Sequence, residues 1–211
     1  KFTDMVKKVR GALVNERHGF CCGIDEVGRG ALAGPVVAAA VILPRGWYPE
    51  GLADSKTLSK SKRNHLHTCM ISEITFGIGL SFPDEIDRIN IRNATLRAMK
   101  RATVNLGTKV NVALIDGKDI PIQMKMFSKA FVSGDSYLPA IAAASIVAKV
   151  YRDDLMFALA KTHPEYGWQN NVGYGTSHHL LALKEYGRTS HHRCSFSPIY
   201  NMLCQENKLS H

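Results

Sequence analysis

The residues of this chain best suited to chemistry are two adjacent acids, Asp25 and Glu26. They come directly after the apolar segment 20–24, and an uncharged run at 35–43 follows, so their surroundings have the pattern of buried strands. Burying two neighbouring carboxylates costs on the order of several kcal/mol each unless cations compensate their charge. Because carboxylate oxygens are the ligands that hard divalent ions prefer, this segment predicts a metal site.

A third acid, Asp116, follows the short apolar segment 111–115 and therefore lies where a strand should end. Open α/β sheets gather their sites at the carboxyl ends of strands, so Asp116 could meet Asp25 and Glu26 if the two strands are neighbours. The competing interpretation is an ordinary turn residue, because Gly117 comes next.

A fourth acid interrupts the long apolar helical pattern at 139–161. Helical periodicity does not choose between Asp153 and Asp154, and an ion pair with Lys149 or Arg152 is an equally good interpretation. Four carboxylates with few His or Cys partners suit Mg²⁺ or Mn²⁺ rather than zinc. Two such ions about 3.5–4 Å apart could activate water and stabilise the leaving oxygen in phosphodiester hydrolysis.

Glycines follow the first two acids at positions 28, 30 and 34. Glycine lets a backbone approach a ligand closely and offer its N–H groups, so Gly28-Arg29-Gly30 is a candidate binding loop, with a plain turn as the alternative. The spacing also resembles a dinucleotide fingerprint. Asp25 and Glu26 would repel a pyrophosphate, however, and Gly34-Pro35 leads into a second strand rather than a helix.

Three further segments are candidates for contacting a polyanion. Asp54-Ser55-Lys56 precedes a helix start rich in Lys and Arg, and His191-His192-Arg193 is a basic loop. Tyr174 lies between two glycines, where an exposed ring could stack on a sugar or base, although a core tyrosine is nearly as good an interpretation. The paired histidines lack the spacing of zinc ligands.

The net charge favours a polyanionic partner. Lys and Arg outnumber Asp and Glu by 27 to 18 in the 211 residues, which gives a formal charge of +9. The simplest such partner is nucleic acid, bound through phosphate contacts and counterion release. A basic surface that binds nothing is the alternative.

Other features of the composition indicate a cytoplasmic globular protein. Apolar residues make up 45% and charged residues 21% of the chain, which is ordinary for this class. No apolar run reaches the roughly 18–20 residues needed to span a bilayer, and residues 1–15 lack the pattern of a signal peptide. The five cysteines are odd in number and contain no CxxC pair, which favours reduced thiols.

Hydrophobic periodicity predicts an α/β fold in which strands cluster early and then alternate with helices. That order fits a mixed sheet with helices on both faces. We expect strands at 20–26, 35–43, 73–81, 111–115 and 122–132, the last ending at Gly134-Asp135. We expect helices at 1–15, 60–72 with Ser59 as N-cap, 83–106 with a break near 88–91, 139–161, and 177–186 closed by Gly187.

Six blocks of sequence occur in a set order along the chain. They are Gly-Ile-Asp-Glu-Val-Gly-Arg-Gly at 23–30, Asp-Ser-Lys-Thr-Leu-Ser at 54–59, Ile-Asp-Gly at 115–117, Pro-Ala-Ile-Ala-Ala-Ala-Ser-Ile-Val-Ala-Lys-Val-Tyr-Arg-Asp at 139–153, Gly-Tyr-Gly-Thr at 173–176 and His-His-Arg-Cys-Ser-Phe at 191–196. Together they closely resemble the type 2 ribonucleases H, specifically the bacterial ribonuclease HII family. Any one block alone would be weak evidence, whereas the set is very specific.

This resemblance implies a ribonuclease H-like α/β fold, with a five-stranded mixed sheet flanked by helices and a short helical C-terminal portion. We expect residues 1–198 to form the catalytic domain and 199–211 a short C-terminal extension. It also implies an endoribonuclease that cuts the RNA strand of RNA–DNA hybrids and incises 5′ of ribonucleotides embedded in duplex DNA. A two-metal-ion mechanism with Mg²⁺ or Mn²⁺ would leave 3′-hydroxyl and 5′-phosphate ends. We also expect a monomer.

The resemblance further assigns roles to residues. The four metal-binding acids of the family match Asp25, Glu26, Asp116 and Asp153, and the match decides between the two helical acids.

The remaining candidate residues would bind the substrate. The Gly28-Arg29-Gly30 backbone and Tyr174 would sense the 2′-hydroxyl of ribose, the group that distinguishes RNA from DNA. Lys56 and Arg193 are candidates for holding phosphates.

Two rival functions remain open on the sequence alone. A metal-free nucleic-acid-binding module would use the same positive charge but would have no need of four acids. A nicotinamide-dependent dehydrogenase would use the glycines at 28, 30 and 34.

Overall fold

The computed structural model describes residues 20–53 and 55–209, with side chains described as far as residue 205. The helix predicted at 1–15 and the residue Asp54 lie outside the described residues. Among the helices that are described, none combines the length and the apolar character needed to cross a bilayer.

A five-stranded mixed sheet forms the centre of the fold, as predicted. Its strands are β1 (Phe20–Val27), β2 (Val36–Ile42), β3 (Thr75–Ser81), β4 (Val110–Asp116) and β5 (Phe127–Phe131). They lie in the order β3-β2-β1-β4-β5. Strands β1 to β3 form an antiparallel meander, whereas β4 runs parallel to β1 and β5 parallel to β4. The carboxyl ends of β1, β4 and β5 therefore meet at one edge of the sheet.

Six α-helices lie within the described residues. They are α1 (Lys60–Ile71), α2 (Pro83–Val104), α3 (Pro139–Thr162), the single-turn α4 (Trp168–Asn171), α5 (Ser177–Tyr186) and α6 (Ser197–Leu209). The predicted bounds of α1, α2, α3 and α5 are confirmed to within two residues at each end. Ser59 caps α1 as predicted, because its side chain accepts a hydrogen bond from the Lys62 N–H at 3.3 Å.

Helices cover both faces of the sheet, and alternate residues of β2 supply the two cores. Ala38 and Ala40 face α2, whereas Ala39 and Val41 face α3 and α1. Because β2 is buried on both sides, its sequence is an uninterrupted apolar run rather than an alternating one.

A third apolar cluster joins the C-terminal helices to the rest of the fold. Trp168 of α4, Leu183 of α5 and Ile199 of α6 pack with Leu32 and Met156. The predicted boundary between residues 198 and 199 therefore falls inside α6, next to a residue that is buried in this cluster.

Two elements show local breaks in the backbone. Strand β5 begins at Phe127, later than predicted, because Gln123 adopts a left-handed conformation with φ 61° that interrupts the extended chain. The predicted break in the second helix is confirmed: Asn90 of α2 has φ 66° and ψ 161°. The Asn90 side chain then caps the following helical segment by accepting a hydrogen bond from the Asn93 N–H at 3.0 Å.

Strand β3 lies at one edge of the sheet, and side chains from the end of α2 cover part of that edge. Arg101 Nη1 donates to the carbonyl of Leu80 at 2.6 Å, and Asn105 Nδ2 donates to the carbonyl of Ile78 at 2.7 Å. Two carbonyls spaced two residues apart point to the same side of a strand, here the side away from β2.

Candidate active site

The first three predicted acids lie at the carboxyl ends of two adjacent parallel strands. Ile24 of β1 pairs with Ile115 of β4, so the residues that follow them, Asp25 and Asp116, lie side by side. Asp25 is only 2% exposed because helices cover both faces of β1, whereas Glu26 and Asp116 are half-buried. The convergence expected from the strand-end rule is present.

A further carboxylate, that of Asp135, joins this cluster, although Asp135 was not predicted to be a site residue. Asp135 lies in the 3₁₀ turn Gly134–Ser136 after β5 and is buried. One carboxylate oxygen from each of Asp25, Asp116 and Asp135 lies within 4.8 Å of the other two. The N–H of Gly134 donates to Asp116 Oδ1 at 2.7 Å, which ties the turn to β4.

Asp153, which was predicted as the fourth ligand, is not a member of this group. Its Oδ1 accepts a hydrogen bond from Lys149 Nζ at 2.7 Å, one turn earlier in α3. The ion pair is the alternative that helical periodicity left open. Among the described residues, Asp135 rather than Asp153 therefore completes the carboxylate group. Glu26 lies outside this group as well, although its charge repels that of Asp25.

The clustered acids carry more negative charge than their surroundings balance. Burial, and then repulsion from Glu26, Asp116 and Asp135, raises the pKa of Asp25 well above its usual value. Burial also raises the pKa of Glu26, although Arg29 opposes this by donating from Nη1 to Glu26 Oε1 at 3.2 Å. Carboxylates that are buried together and repel one another have a strong affinity for cations.

The donor set fits a hard divalent cation. Each member of the group offers a carboxylate oxygen, and no His or Cys of the described residues belongs to it. Asp25 Oδ1 accepts a hydrogen bond from the Glu26 N–H at 2.7 Å, and such a contact orients a ligand. Oxygen-only sites of this kind suit Mg²⁺ or Mn²⁺.

Lys56 lies beside the acids on a well-anchored turn. Its Nζ is 3.9 Å from Asp135 Oδ2, and its side chain is 71% exposed. The preceding residue, Ser55, contacts α3 through a hydrogen bond from Ser145 Oγ to Ser55 Oγ. Lys56 is therefore placed at the mouth of the site with its charge accessible to a ligand.

The predicted binding loop also borders the acids, because it follows β1 directly. Gly28 has φ 88°, and an added methyl group there would collide with the side chain of Arg152. Arg29 and Gly30 are exposed. A Cβ atom at Gly30 would lie 3.9 Å from Cε1 of Tyr174, a residue that is 37% exposed, so the loop and this tyrosine face each other.

Arg193 has a placement that differs from the predicted one. It is fully buried, and its guanidinium donates to the backbone carbonyls of Gly28, Arg29 and Gly34 at 2.7–3.0 Å. These contacts occupy the donors that a phosphate would need. Arg193 therefore lies beneath the binding loop rather than on its substrate-facing side.

Comparison with known proteins places this architecture in a family. The family model described as Ribonuclease HII matches residues 22–199. The chain is 49% identical over 195 residues to Ribonuclease HII of Cereibacter sphaeroides, which covers 92% of each chain. It is 51% identical over 192 residues to Ribonuclease HII of Paramagnetospirillum magneticum, covering 89% of this chain and 95% of the relative.

Solved structures agree with the fold. The RNase HII of a PCNA:RNase HII complex from Archaeoglobus fulgidus superposes with a TM-score of 0.71 at 25% identity, covering 84% of this chain and 95% of that one. A Bst-RNase HIII in complex with Mn²⁺ has the same fold, with a TM-score of 0.69 at 17% identity, covering 92% of this chain and 72% of the other. The sequence matches and the fold together show that this chain belongs to the ribonuclease HII family and is a ribonuclease H-type hydrolase.

Proposed function

We propose that this enzyme incises duplex DNA on the 5′ side of embedded ribonucleotides, in addition to cutting the RNA strand of RNA–DNA hybrids. Membership of the ribonuclease HII family supports endoribonuclease activity on such hybrids. The observation that carries the proposal is the convergence of Asp25, Asp116 and Asp135 beside a loop and a tyrosine suited to contacting ribose. Cleavage at the phosphorus 5′ to the ribonucleotide would leave 3′-hydroxyl and 5′-phosphate ends.

The acids would hold Mg²⁺ or Mn²⁺, two ions during catalysis, with Asp25, Glu26, Asp116 and Asp135 as the ligands. Such ions activate water and stabilise a departing oxygen at phosphorus. The protein's own contribution is to fix the carboxylates before the substrate arrives. Asp25 and Asp116 are each oriented by a backbone N–H, from Glu26 and Gly134 respectively.

The loop Gly28-Arg29-Gly30 and Tyr174 would recognise the ribose. No described residue accepts a hydrogen bond from the N–H of Arg29 or Gly30, so both groups are available to a ligand oxygen. The exposed ring of Tyr174 lies opposite them and offers a face for the sugar. Recognition of the 2′-hydroxyl separates ribonucleotides from their DNA neighbours.

Lys56 would contact a phosphate near the cut. It is exposed, close to Asp135, and held on an anchored turn. The net charge of +9 would add a wider, sequence-independent attraction for the duplex. A cytoplasmic monomer in which residues 1–198 form the catalytic domain completes the proposal.

Cleavage of a duplex DNA that carries one ribonucleotide tests the proposal, with a duplex of identical sequence made only of deoxyribonucleotides as the control. We expect a single cut 5′ to the ribonucleotide in Mg²⁺ or Mn²⁺, loss of cutting in EDTA, and no cut in the control. Mapping the ends against chemically defined markers identifies the 3′-hydroxyl and 5′-phosphate. Binding without cleavage in either metal would favour the metal-free binding module instead.

A further inference from the structure

Two fully buried arginines, Arg152 of α3 and Arg193, lie beneath the binding loop. Among the described residues neither has a carboxylate within ion-pair distance, and both guanidiniums donate to backbone carbonyls instead. Burial and the nearby Arg152 lower the pKa of Arg193 to about 9, which leaves it protonated at neutral pH. Burying two like charges close together is costly, and an apolar residue would fill the same space at less cost.

The Arg193 guanidinium holds the start and the end of the loop at once. Its Nη1 donates to the carbonyl of Arg29 at 2.8 Å, and its Nη2 donates to the carbonyl of Gly28 at 2.7 Å. Its Nε and Nη2 also donate to the carbonyl of Gly34, at 3.0 and 2.8 Å. One planar group therefore fixes the distance between the two ends of the turn.

Arg152 joins the same loop to the segment that carries Tyr174. Its Nε donates to the carbonyl of Pro35 at 3.0 Å, and its Nη2 donates to the carbonyl of Ala33 at 3.1 Å. Its Nη1 donates to the carbonyl of Val172 at 2.8 Å, two residues before Tyr174. The guanidinium also lies 5.7 Å from the centre of the Tyr174 ring, within range of a cation–π contact.

These contacts turn the loop carbonyls inward. Gly28 and Arg29 direct their carbonyl oxygens to Arg193, and the next N–H groups, on Arg29 and Gly30, are left without acceptors among the described residues. The acids of the candidate metal site receive none of these hydrogen bonds; Asp25 and Asp116 are oriented by other groups. The two arginines thus contact the binding loop and the segment that carries Tyr174, and not the carboxylates.

We propose that Arg152 and Arg193 are positioning residues for ribose recognition, which hold the Gly28-Arg29-Gly30 backbone and Tyr174 at a set separation and thereby determine the preference for a ribonucleotide. The inference rests on the proposed function. It predicts that weakening either arginine lowers discrimination at the 2′ position without changing metal binding.

Arg152→Lys and Arg193→Lys test this, because lysine keeps the charge and the stem but cannot hold several carbonyls in one plane. Arg101→Lys is the matched control, since Arg101 also bonds a backbone carbonyl but does so at the β3 edge, away from the site. Cooperative unfolding in urea is verified first for each variant. Loss of the folded state in both test variants would overturn the proposal in favour of a role in folding alone.

The first readout is the ratio of single-turnover rates on two duplexes, one with a single ribonucleotide and one with a 2′-fluoro nucleotide at the same position. We expect each test variant to lower this ratio by about tenfold, the effect of losing roughly 1.4 kcal/mol of selective stabilisation, and the control to leave it unchanged within about twofold. The Mn²⁺ concentration giving half of the maximal thermal shift should stay the same in all of them. An equal loss on both duplexes, or a changed Mn²⁺ response, would overturn the proposal.

A double-mutant cycle with Tyr174→Ala provides the second readout. If Arg152 acts through Tyr174, Arg152→Lys should lose most of its effect on the ratio in the Tyr174→Ala background. Fully additive effects would show that Arg152 does not act through the tyrosine. Failure of the unmodified enzyme to cut the ribonucleotide duplex would instead refute the proposed function, so the two failures are distinguishable.

Discussion

At the scale of single residues, Asp25 shows how the site is prepared for a cation. Its carboxylate is almost fully buried. This burial raises its pKa, and repulsion from three other carboxylates raises it further. Without a metal, the ionised form of Asp25 is destabilised in the folded protein relative to the unfolded chain. Under the proposed function, Asp25 would therefore bind the metal at a cost in stability.

Asp25→Asn should stabilise the metal-free protein while abolishing cleavage. Because the folded pKa of Asp25 is raised, the wild type loses stability as the pH increases from about 4, the unfolded value, through the folded value. We expect the variant to be more stable by about 1–3 kcal/mol at pH 8 in EDTA, and to show little difference near pH 4. Urea unfolding at several pH values measures this. A variant less stable than the wild type at pH 8 would contradict it, and the exposed Asp154→Asn serves as control.

Asp135 and Asp153 should differ in their effect on cleavage. Asp135→Asn removes a charge from the carboxylate cluster, so we expect at least about a hundredfold loss of kcat. Asp153→Asn breaks the ion pair with Lys149, whose two side chains are only 18% and 13% exposed, so it should cost stability but keep most of the activity. Steady-state rates in saturating Mg²⁺ measure both. The opposite ranking would restore Asp153 as the ligand.

The location of Asp135 in the carboxylate cluster could have been predicted from the sequence, whereas the burial of Arg193 could not. The strand-end rule placed Asp25 and Asp116 correctly, and Asp135 follows the fifth strand, which was itself predicted. Applying the same rule to that strand would have identified it. Arg193 gave only a basic loop pattern, because burial of a guanidinium depends on carbonyls from the distant segment 28–34 that no local pattern shows.

At the scale of the elements, strong periodicity and capping made the long helices and the meander predictable. The single-turn α4 was not predicted, because four residues are too few to produce a periodic signal. The start of β5 was predicted too early, because the left-handed conformation at position 123 is adopted by Gln. In a sequence, such a conformation is usually indicated by glycine.

The histidines of α5 and of the loop after it also form a hydrogen-bonded network, which their spacing in the sequence did not indicate. His192 and His179 contact each other through their Nε2 atoms at 3.0 Å, and Trp168 Nε1 donates to His179 Nε2 at 3.2 Å. The Thr189 N–H donates to His192 Nδ1 at 2.9 Å. Because His192 Nδ1 accepts this hydrogen bond, it must be unprotonated, so protonation of His192 would disrupt the network.

This network should make the fold sensitive to acid. Burial and the neighbouring His179 and His191 lower the pKa of His192 to about 3. The unfolded chain takes up a proton below about 6.5 while the folded chain does not, so stability falls as the pH drops from about 6.5 towards 3. We expect His192→Asn to flatten this dependence, by up to about 2 kcal/mol between pH 6.5 and 5. Urea unfolding across that range, with the exposed His65→Asn as control, measures the slopes; equal slopes would contradict the prediction.

At the scale of the whole molecule, the charge of +9 should make duplex binding strongly dependent on salt. With Asp25→Asn used to prevent cleavage, we expect affinity for a ribonucleotide duplex to fall at least about thirtyfold between 50 and 200 mM salt. Lys56→Gln should reduce the log–log slope by about one. Lys109→Gln, at the opposite end of β4 from Asp116, should not change it. Fluorescence anisotropy measures the slopes, and a flat response would contradict a phosphate-based interface.

The covered edge of β3 affects how copies of this protein interact in a crowded solution. Arg101 and Asn105 already occupy the carbonyls of Leu80 and Ile78, two of the acceptors that an incoming chain would have to bond in order to extend the sheet. A neighbouring copy that approaches this side meets side-chain donors instead of a row of open backbone groups. At this edge, the arrangement opposes the strand-by-strand stacking that leads to fibrils.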